Sequence, residues 1–210
     1  MANKLPGGLY ALIDDHLRAD LPVLEKARAA IAGGARVLQL RLKQTPDRAA
    51  VIAIRAVLKL ARPSGAVIIV NDRVDLALVT QAHGVHLGDD DLPPAEARRL
   101  LGPDRLIGVT TRNIEAISKA QAAGADHVGV GPLFATRTKS VDAPLLGLEK
   151  FAAIALASPL PVVGIAGVTL ETIQSVAKAG AHAAAVGADL LLADDVVSRA
   201  AALQRAFWGS

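Results

Sequence analysis

The sequence contains no cysteine and few aromatic residues, and it has neither a long apolar run nor a cluster of cations. Without cysteine, the chain cannot form a disulfide, a thiolate metal site or a cysteine nucleophile. No apolar stretch approaches the length of a membrane-spanning helix, and residues 1–8 lack the apolar core of a signal peptide. These absences predict a soluble, cytoplasmic protein that does not bind membranes.

The charged residues are scattered along the chain. They make up 20% of it, the net charge is +3, and no run of Lys or Arg forms a patch. We therefore expect a small acidic ligand rather than nucleic acid. The expected partners are small-molecule substrates, and a homo-oligomer is left open.

Aliphatic residues supply most of the apolar content. Hydrophobic residues account for 52% of the chain and aromatic residues for only 2%, so the core must consist of Ala, Val, Leu and Ile. Small and branched aliphatic side chains suit strands that are buried on both faces beneath helices. The length of 210 residues, without a linker-like segment, predicts one domain over residues 1–210.

A run of small residues that contains glycine recurs before four apolar stretches. The comparable glycines are Gly34, Gly84, Gly124 and Gly180. Each predicts a helix that ends at a glycine just past its last turn, followed by a buried strand. The intervals of 50, 40 and 56 residues are long enough for two strand–helix units, so one more strand fits inside each interval.

The complete pattern is eight strands that alternate with eight helices. The predicted strands are 9–13, 37–41, 66–70, 85–88, 106–109, 127–131, 161–165 and 183–187. The predicted helices are 22–32, 46–61, 73–81, 94–101, 113–122, 147–156, 169–178 and 194–207. This alternation predicts an α/β fold of the (β/α)8 TIM-barrel type, with a doubly wound open sheet as the alternative.

Hydroxyl and cationic residues follow the sixth predicted strand. Residues 129–139 begin as a buried strand and end in a segment that includes Thr136, Thr138 and Lys139 and no acid. Hydroxyls and cations without acids suit a phosphate or a diphosphate. A solvated polar loop is the other interpretation of this segment alone.

The end of the second predicted strand and the residues after it carry Gln39, Arg41 and Lys43, which are spaced by two. Side chains spaced by two point to the same side of a strand, so Gln39 and Arg41 are expected to point toward the barrel mouth. An arginine and a nearby lysine can hold a diphosphate through a planar fork and a point charge. An ordinary salt-bridged strand end would explain this segment equally well.

Acidic residues follow the third and fourth predicted strands. Asp72 comes directly after Asn71, and Asp89–Asp91 follow His86. Carboxylates from neighbouring strands at one mouth predict a hard cation, and Mg²⁺ held by one or two carboxylates and substrate phosphates is the natural choice. Taken separately, Asp72 could cap a helix and the triplet could be a solvated loop. We interpret His86 as a structural, hydrogen-bonded residue.

Small or hydroxyl residues follow the remaining strands. Thr110 follows the fifth predicted strand, Gly167 follows the seventh, and Val186 and Gly187 end the eighth. Barrels often hold a phosphate on backbone N–H groups after strands seven and eight, where small residues permit a close approach. Glycines at these positions could instead relieve packing.

These segments together resemble the thiamine phosphate synthase family, in order and through nearly the whole chain. The resemblance is carried by Leu9-Tyr10…Asp14, Gln39-Leu-Arg41-Leu-Lys43, Asn71-Asp72-Arg73-Val-Asp75-Leu-Ala77, Gly84-Val-His86-Leu-Gly88…Asp91-Leu-Pro93, Gly129-Val-Gly131-Pro132-Leu-Phe134…Thr136-Arg-Thr138-Lys139 and Leu146-Gly147-Leu148. It implies a TIM barrel that joins hydroxymethylpyrimidine diphosphate to thiazole phosphate, releases diphosphate and uses Mg²⁺.

The resemblance also implies roles for individual residues. Asp72 and Asp91 would bind Mg²⁺. The pyrimidine diphosphate would be held by Gln39, Arg41, Lys43, Asn71 and Lys139. The thiazole phosphate would face Thr136, Thr138 and the loops around Gly167, Val186 and Gly187. The groups expected to act on the leaving diphosphate are Arg41, Thr110 and Lys139.

Four residues depart from the family pattern: Asp89 stands where Gln is common, Arg112 where His is common, Ala166 replaces the first of a usual glycine pair, and Gly187 stands where Ser is usual. A sister group, the thiazole tautomerases, uses a His at the place of Arg112, so this departure weighs against a tautomerase. The alternative functions are a tautomerase-type isomerase and a non-catalytic paralogue that binds phosphate ligands.

Overall fold

The strands form a closed parallel barrel. The computed structural model describes residues 5–135 and 144–210, and within these ranges eight strands pair in chain order, with the first pairing with the last. The strands are β1 Gly8–Asp14, β2 Val37–Arg41, β3 Val67–Asn71, β4 Gly84–Leu87, β5 Leu106–Thr111, β6 His127–Val130, β7 Val162–Gly164 and β8 Ala183–Val186. All eight predicted strands and the TIM-barrel prediction are confirmed. The open sheet is excluded because β1 pairs in register with both β2 and β8.

Helices follow the strands on the outside of the barrel. They are α1 Val23–Ala32, α2 Asp47–Ala61, α3 Val74–Thr80, α4 Pro94–Leu101, α5 Ile114–Ala122, α6 Gly147–Ala157, α7 Ile173–Lys178, α8 Ala188–Leu191 and α9 Val196–Trp208. Eight of them correspond to the predicted helices, although α7 begins four residues later than expected. The short helix α8 and a 3₁₀ turn at Arg62–Ser64 were not predicted. No helix in the described part of the chain has the length and apolarity needed to cross a membrane.

Successive residues of each strand face alternately into the barrel and out toward the helices. Leu38 and Leu40 pack in the outer core with helix residues such as Ile54, whereas Val37 packs inside the barrel. Gln39 and Arg41 lie on the same side of β2 as Val37, so the prediction that they share the inner side is confirmed. The alternation therefore points the polar residues of β2 into the barrel and toward its mouth.

The barrel interior explains how the chain manages with so few aromatic residues. Tyr10 is fully buried inside the barrel, and its neighbour in register on β8 is Ala185. Ala183 and Ala185 leave space that a ring can fill, and aliphatic residues such as Val163 pack beside them. Alternating large and small residues thus fill this part of the interior with a single aromatic ring.

One of the four predicted helix-ending glycines has a different role. Gly34, Gly124 and Gly180 have positive φ angles of 94°, 89° and 94°, as expected for that position. Gly84 instead begins β4, and Gln81 takes the left-handed conformation after α3, with φ 58°. A Cβ at Gly84 would lie 2.2 Å from the Leu106 carbonyl oxygen. Close strand packing, not helix termination, therefore requires glycine at position 84.

Candidate active site

The predicted site residues of the first five strands meet at the carboxyl-terminal mouth of the barrel. Arg41, Asn71 and Asp72 lie at or just after the ends of β2 and β3, and Thr110 lies near the end of β5. Parallel strands direct these ends to one rim, which is where barrels carry their functional groups. The structure thus brings together side chains that are up to 71 residues apart in the sequence.

The β2 side chains have defined partners. Gln39 is buried and donates from Nε2 to the Tyr10 hydroxyl over 2.9 Å. Arg41 donates from one terminal nitrogen to Asp14 Oδ2 over 2.6 Å, and about a quarter of its side chain stays accessible. An arginine has five N–H donors, so Arg41 keeps donors for a ligand while Asp14 holds it.

Lys43 and Asp72 form an ion pair at the mouth. The Lys43 ammonium contacts Asp72 Oδ2, and 52% of the lysine side chain is exposed compared with 18% of the aspartate side chain. Asp72 has a positive φ of 61°, and its N–H donates to the His86 carbonyl over 2.8 Å. A non-glycine residue in this conformation is uncommon, and such strain concentrates at functional sites. The interpretation of Asp72 as a helix cap is wrong, since α3 begins at Val74 without a side-chain cap.

Asp91 lies next to Asp72. Its Oδ2 accepts the Gly88 N–H over 2.7 Å, which fixes the carboxylate at the turn after β4. Burial raises the pKa of Asp91, and the neighbouring Asp72 carboxylate raises it further. A carboxylate whose charge is disfavoured by burial and by a neighbouring carboxylate indicates a place for a cation.

The rest of the acidic triplet has a different environment. Asp89 and Asp90 are exposed, as the solvated-loop interpretation expects, whereas Asp91 is partly buried and bound to Gly88. Within residues 5–135 and 144–210, no group of three or more His, Cys, Asp or Glu side chains could hold a metal ion. The donor set at the mouth is therefore the carboxylate pair, which suits Mg²⁺ only when a ligand supplies further oxygens.

A pair of histidines lies below the mouth. His86 Nε2 is 3.0 Å from Thr110 Oγ1, so the prediction of a buried, hydrogen-bonded His86 is confirmed. The His86 ring lies 5.8 Å from the ring of His127, centroid to centroid. A Cβ at Gly108 would lie 2.3 Å from His127 Nε2 and 2.5 Å from His86 Nδ1, so the two rings occupy the space that a side chain of β5 would need. Gly108 thereby sets the position of the His86–Thr110 pair.

We expect His127 to make stability depend on pH. It is fully buried, and burial lowers its pKa to about 3. Neither of its ring nitrogens has a hydrogen-bond partner among the residues that the structure describes. Unfolded histidine has a pKa of about 6.5, so the unfolded state binds more protons between these two values and stability falls as pH falls. From pH 7 to pH 5 this single group should lower the free energy of unfolding by about 2 kcal/mol.

Urea unfolding of wild type and His127→Phe at both pH values measures this contribution. The variant should lose about 2 kcal/mol less than wild type on acidification. His16→Gln is the matched control, because His16 is exposed and its removal should leave the loss unchanged. Equal losses in wild type and His127→Phe would mean that His127 is not held neutral in the folded state.

The loops after β7 and β8 form the other side of the mouth. Gly167 has φ +71°, and a Cβ there would lie 2.5 Å from the Ala135 carbonyl oxygen. Ala166 has φ 73° although it is not glycine, so this family departure is accommodated in a strained backbone. Gly187 directly precedes α8, whose first amides have no acceptor within the helix. A short helix after the eighth strand is a recurring part of barrel phosphate sites.

Val186 contributes to this loop differently from its neighbours. Its side chain is fully buried and packs in the outer core, away from the mouth. A ligand could therefore contact only the backbone of Val186.

Arg112 is exposed and lines a groove of about 360 Å³ between α5 and α6, together with Lys150 and Ile154. The predicted ligand residues Thr136, Thr138 and Lys139 lie outside the described residues.

Sequence reasoning missed the acidic residues of the first loop as site residues. Asp14 ends β1 and binds Arg41, and Asp15 binds the loop that follows β2. Both are polar residues directly after a predicted strand, the same signal that identified Arg41 and Asp72.

Comparisons with known proteins identify the family of this chain. A family model described as thiamine monophosphate synthase matches residues 9–190. The thiamine-phosphate synthase of Myxococcus xanthus is 56% identical over 203 residues, which cover 97% of this chain and 93% of that protein. The thiamine-phosphate synthase of Anaeromyxobacter dehalogenans is 52% identical over 201 residues, covering 96% and 88%. The solved structure of thiamine phosphate pyrophosphorylase from Pyrococcus furiosus has a TM-score of 0.88 and 33% identity, and the match covers 96% of both chains. The chain therefore belongs to the thiamine monophosphate synthase family.

Proposed function

We propose that this protein condenses 4-amino-5-hydroxymethyl-2-methylpyrimidine diphosphate with thiazole phosphate, in a Mg²⁺-dependent reaction that gives thiamine phosphate and diphosphate. The observation that carries the proposal is the pairing of Asp72 with Asp91 at a mouth that also holds Arg41 and Lys43. Carboxylates for a cation beside cations for an anion are what a metal-bound diphosphate requires. Family membership supports the choice of substrates.

The carboxylate pair fits Mg²⁺ in its chemistry. Asp72 and Asp91 offer hard oxygen donors, and a bound cation would lower the pKa of Asp91, which burial and the Asp72 carboxylate raise. Bound there, Mg²⁺ would neutralise charge on the diphosphate as it leaves. The Gly88 N–H holds the Asp91 carboxylate, and the Asp72 N–H fixes the backbone that carries the other carboxylate through its bond to His86. The residues thus hold the pair in place before the substrate arrives.

The pyrimidine diphosphate would lie over β2 and β3. We assign its diphosphate to Arg41, Lys43 and Lys139, and its remaining contacts to Gln39 and Asn71. Arg41 supplies a planar fork that Asp14 already orients, and Lys43 supplies a point charge. Thr110 would contact the leaving group with its hydroxyl, which His86 holds at 3.0 Å.

The chemistry needs charge stabilisation more than proton transfer. The bond between the methylene carbon and the diphosphate oxygen breaks, its electron pair leaves with the diphosphate, and the electron-rich aminopyrimidine supports the methylene cation. The thiazole nitrogen then donates its lone pair to that carbon, which forms the C–N bond of a thiazolium with no proton to lose. Arg41 and Lys139 would stabilise the leaving charge, and no protein nucleophile is required.

The thiazole phosphate would bind at the loops after β7 and β8, beside Thr136 and Thr138. Backbone amides around Gly167 and Gly187 can approach a phosphate where no Cβ intervenes.

We also propose that the reaction takes place in the cytoplasm, on small molecules and without nucleic acid or membrane, because phosphorylated substrates do not cross bilayers freely. The single domain over residues 1–210 stays a prediction, and a homo-oligomer stays an open alternative.

Substitution of Gly187 tests the phosphate end. A Cβ at Gly187 would make only ordinary contacts, 3.5 Å from Leu12 Cβ, so Gly187→Val should fold and project its methyls into the phosphate loop. We expect the KM for thiazole phosphate to rise by about tenfold, with the KM for the pyrimidine diphosphate changed by less than about twofold. Gly187→Ala should give a smaller change in the same direction.

Gly167 makes the contrasting variant. Since a Cβ there would collide with Ala135 and Phe134 and φ is positive, Gly167→Ala should cost about 2 kcal/mol or more of stability and impair both substrates. Steady-state kinetics with each substrate varied separately, together with thermal unfolding, distinguish the two effects. Equal losses for both substrates in Gly187→Val would refute a phosphate site at this loop.

The proposed activity is tested by identifying the products. The purified protein with both substrates and Mg²⁺ should yield thiamine phosphate and diphosphate in equal amounts, as measured by mass spectrometry and a phosphate assay. Isomerisation of the thiazole alone, independent of metal, would instead indicate a tautomerase. Binding of both substrates without diphosphate release would indicate a non-catalytic paralogue.

A further inference from the structure

The loop between β1 and α1 contacts the strand that carries the predicted diphosphate ligands. Asp14 uses both carboxylate oxygens: Oδ2 accepts from Arg41 over 2.6 Å, and Oδ1 accepts the N–H groups of His16 over 2.7 Å and Leu17 over 3.2 Å. Its side chain is only 3% exposed. A carboxylate fixed at both oxygens gives the guanidinium one orientation rather than several.

Asp15 binds the loop that follows β2. Its Oδ2 accepts the N–H groups of Gln44 over 2.8 Å and Thr45 over 2.9 Å, and also the Thr45 hydroxyl over 2.9 Å. Burial would raise the pKa of Asp15, but these hydrogen bonds outweigh burial and lower it, so the carboxylate stays charged. The backbone directly after Lys43 is thereby tied to the first loop.

Lys26 fixes the same loop from below. This residue of α1 is 1% exposed, and its ammonium donates to the carbonyl oxygens of Asp14 over 2.9 Å and Leu17 over 2.5 Å. A buried ammonium is costly unless it is well bonded, and here it bonds both ends of the segment that holds Arg41. An apolar residue at this position of an amphipathic helix would avoid that cost, so the lysine indicates a need for a rigid loop.

We propose that Asp14, Asp15 and Lys26 are positioning residues for the diphosphate, which hold Arg41 and Lys43 in a binding-competent arrangement before the substrate arrives. The inference rests on the proposed function, because Arg41 and Lys43 are assigned to the diphosphate there. None of the three needs to touch the substrate. Asp14 acts through Arg41, Asp15 through the loop after Lys43, and Lys26 through the backbone of the first loop.

The sign of one kinetic change separates positioning from simple electrostatics. Asp14 is an anion beside a cation, so electrostatics alone would make Asp14→Asn bind the diphosphate more tightly. Positioning has the opposite consequence, because Asn has one acceptor oxygen and cannot hold both the loop amides and Arg41. An arginine that is not pre-ordered must lose its side-chain freedom on binding, and affinity falls accordingly.

Kinetics of Asp14→Asn provide the test. We expect its KM for the pyrimidine diphosphate to rise about tenfold, with kcat and the KM for thiazole phosphate within about twofold of wild type. In an Arg41→Ala background, Asp14→Asn should change the KM for the pyrimidine diphosphate by less than about twofold, because the arginine that Asp14 positions is absent. Asp20→Asn is the matched control: Asp20 lies in the same loop, is exposed and forms its ion pair with Arg18, so the KM should not change.

Direct binding separates this inference from the proposed function. Titration of inorganic diphosphate with Mg²⁺ into wild type, Asp14→Asn, Lys26→Met and Asp20→Asn requires no turnover. Weaker binding by Asp14→Asn and Lys26→Met, with wild-type binding by Asp20→Asn, supports the inference even if wild type makes no thiamine phosphate. Should one of the first two variants fail to fold, the other and Asp15→Asn carry the comparison. Unchanged or tighter binding by a folded variant, or a full Asp14→Asn effect in the Arg41→Ala background, would overturn it.

Discussion

Asp72→Asn and Asp91→Asn should each lower kcat for diphosphate release by about 1000-fold at physiological Mg²⁺. Asparagine has nearly the same shape as aspartate but carries no charge, so each variant loses half of the carboxylate pair that we assign to Mg²⁺. Losing a metal that stabilises the leaving diphosphate removes several kcal/mol of transition-state stabilisation, and each tenfold in rate corresponds to about 1.4 kcal/mol. Diphosphate release measured against Mg²⁺ concentration gives the result.

Stability should move in the opposite direction to activity. The Asp72 carboxylate raises the pKa of Asp91, so removing either charge relieves a repulsion in the folded protein. Thermal unfolding of both variants in the absence of metal should therefore occur at or above the wild-type temperature. Asp90→Asn is the control, because Asp90 is exposed in the same loop and should leave both rate and stability unchanged. Near-normal turnover at limiting Mg²⁺ in either variant would remove that residue from the metal site.

The second large effect concerns the two cations assigned to the diphosphate. Lys139→Ala should lower kcat by about 100-fold with a small change in KM, because a cation on the leaving group acts most strongly as charge develops. Arg41→Ala should also raise the KM for the pyrimidine diphosphate, since Asp14 already holds Arg41 ready for the ground state.

Separate measurement of kcat and KM in the two variants distinguishes these roles. Lys59→Ala, on the outer helix α2, is a charge-matched control that should leave both constants unchanged. An unchanged kcat in the Lys139 variant would put that side chain outside the site. An unchanged KM in Arg41→Ala would contradict the ground-state role of the arginine.

The sequence made the barrel predictable because its signals are local. A buried strand of aliphatic residues and a glycine after a helix are visible within a few residues, as at Gly34 and Gly124. The prediction that Gly84 ends a helix is wrong because the need for glycine there is not local: a side chain at position 84 would collide with the Leu106 carbonyl of the neighbouring strand. The short helix α8 spans only four residues, too few for a periodic pattern to reveal it.

The site was predictable to the extent that its residues follow strand ends. Arg41, Asp72 and Asp91 could be named because parallel strands bring such residues to one rim. Their partners could not be named in the same way. Arg41, which binds Asp14, lies 27 positions along the chain from it, and Lys26 lies 12 positions from it. Only the folded chain brings residues at such separations into contact. Nothing in the local sequence distinguishes Lys26 from a surface lysine of an amphipathic helix.

Diphosphate release from wild type, with both substrates present and Mg²⁺ varied, tests the central claim most directly. We predict release only when both substrates and Mg²⁺ are present, with thiamine phosphate formed in equal amount and release lost in Asp72→Asn and Asp91→Asn. Release that continues at full rate without Mg²⁺ or without thiazole phosphate, or that persists in both variants, would contradict a metal-assisted condensation at this mouth.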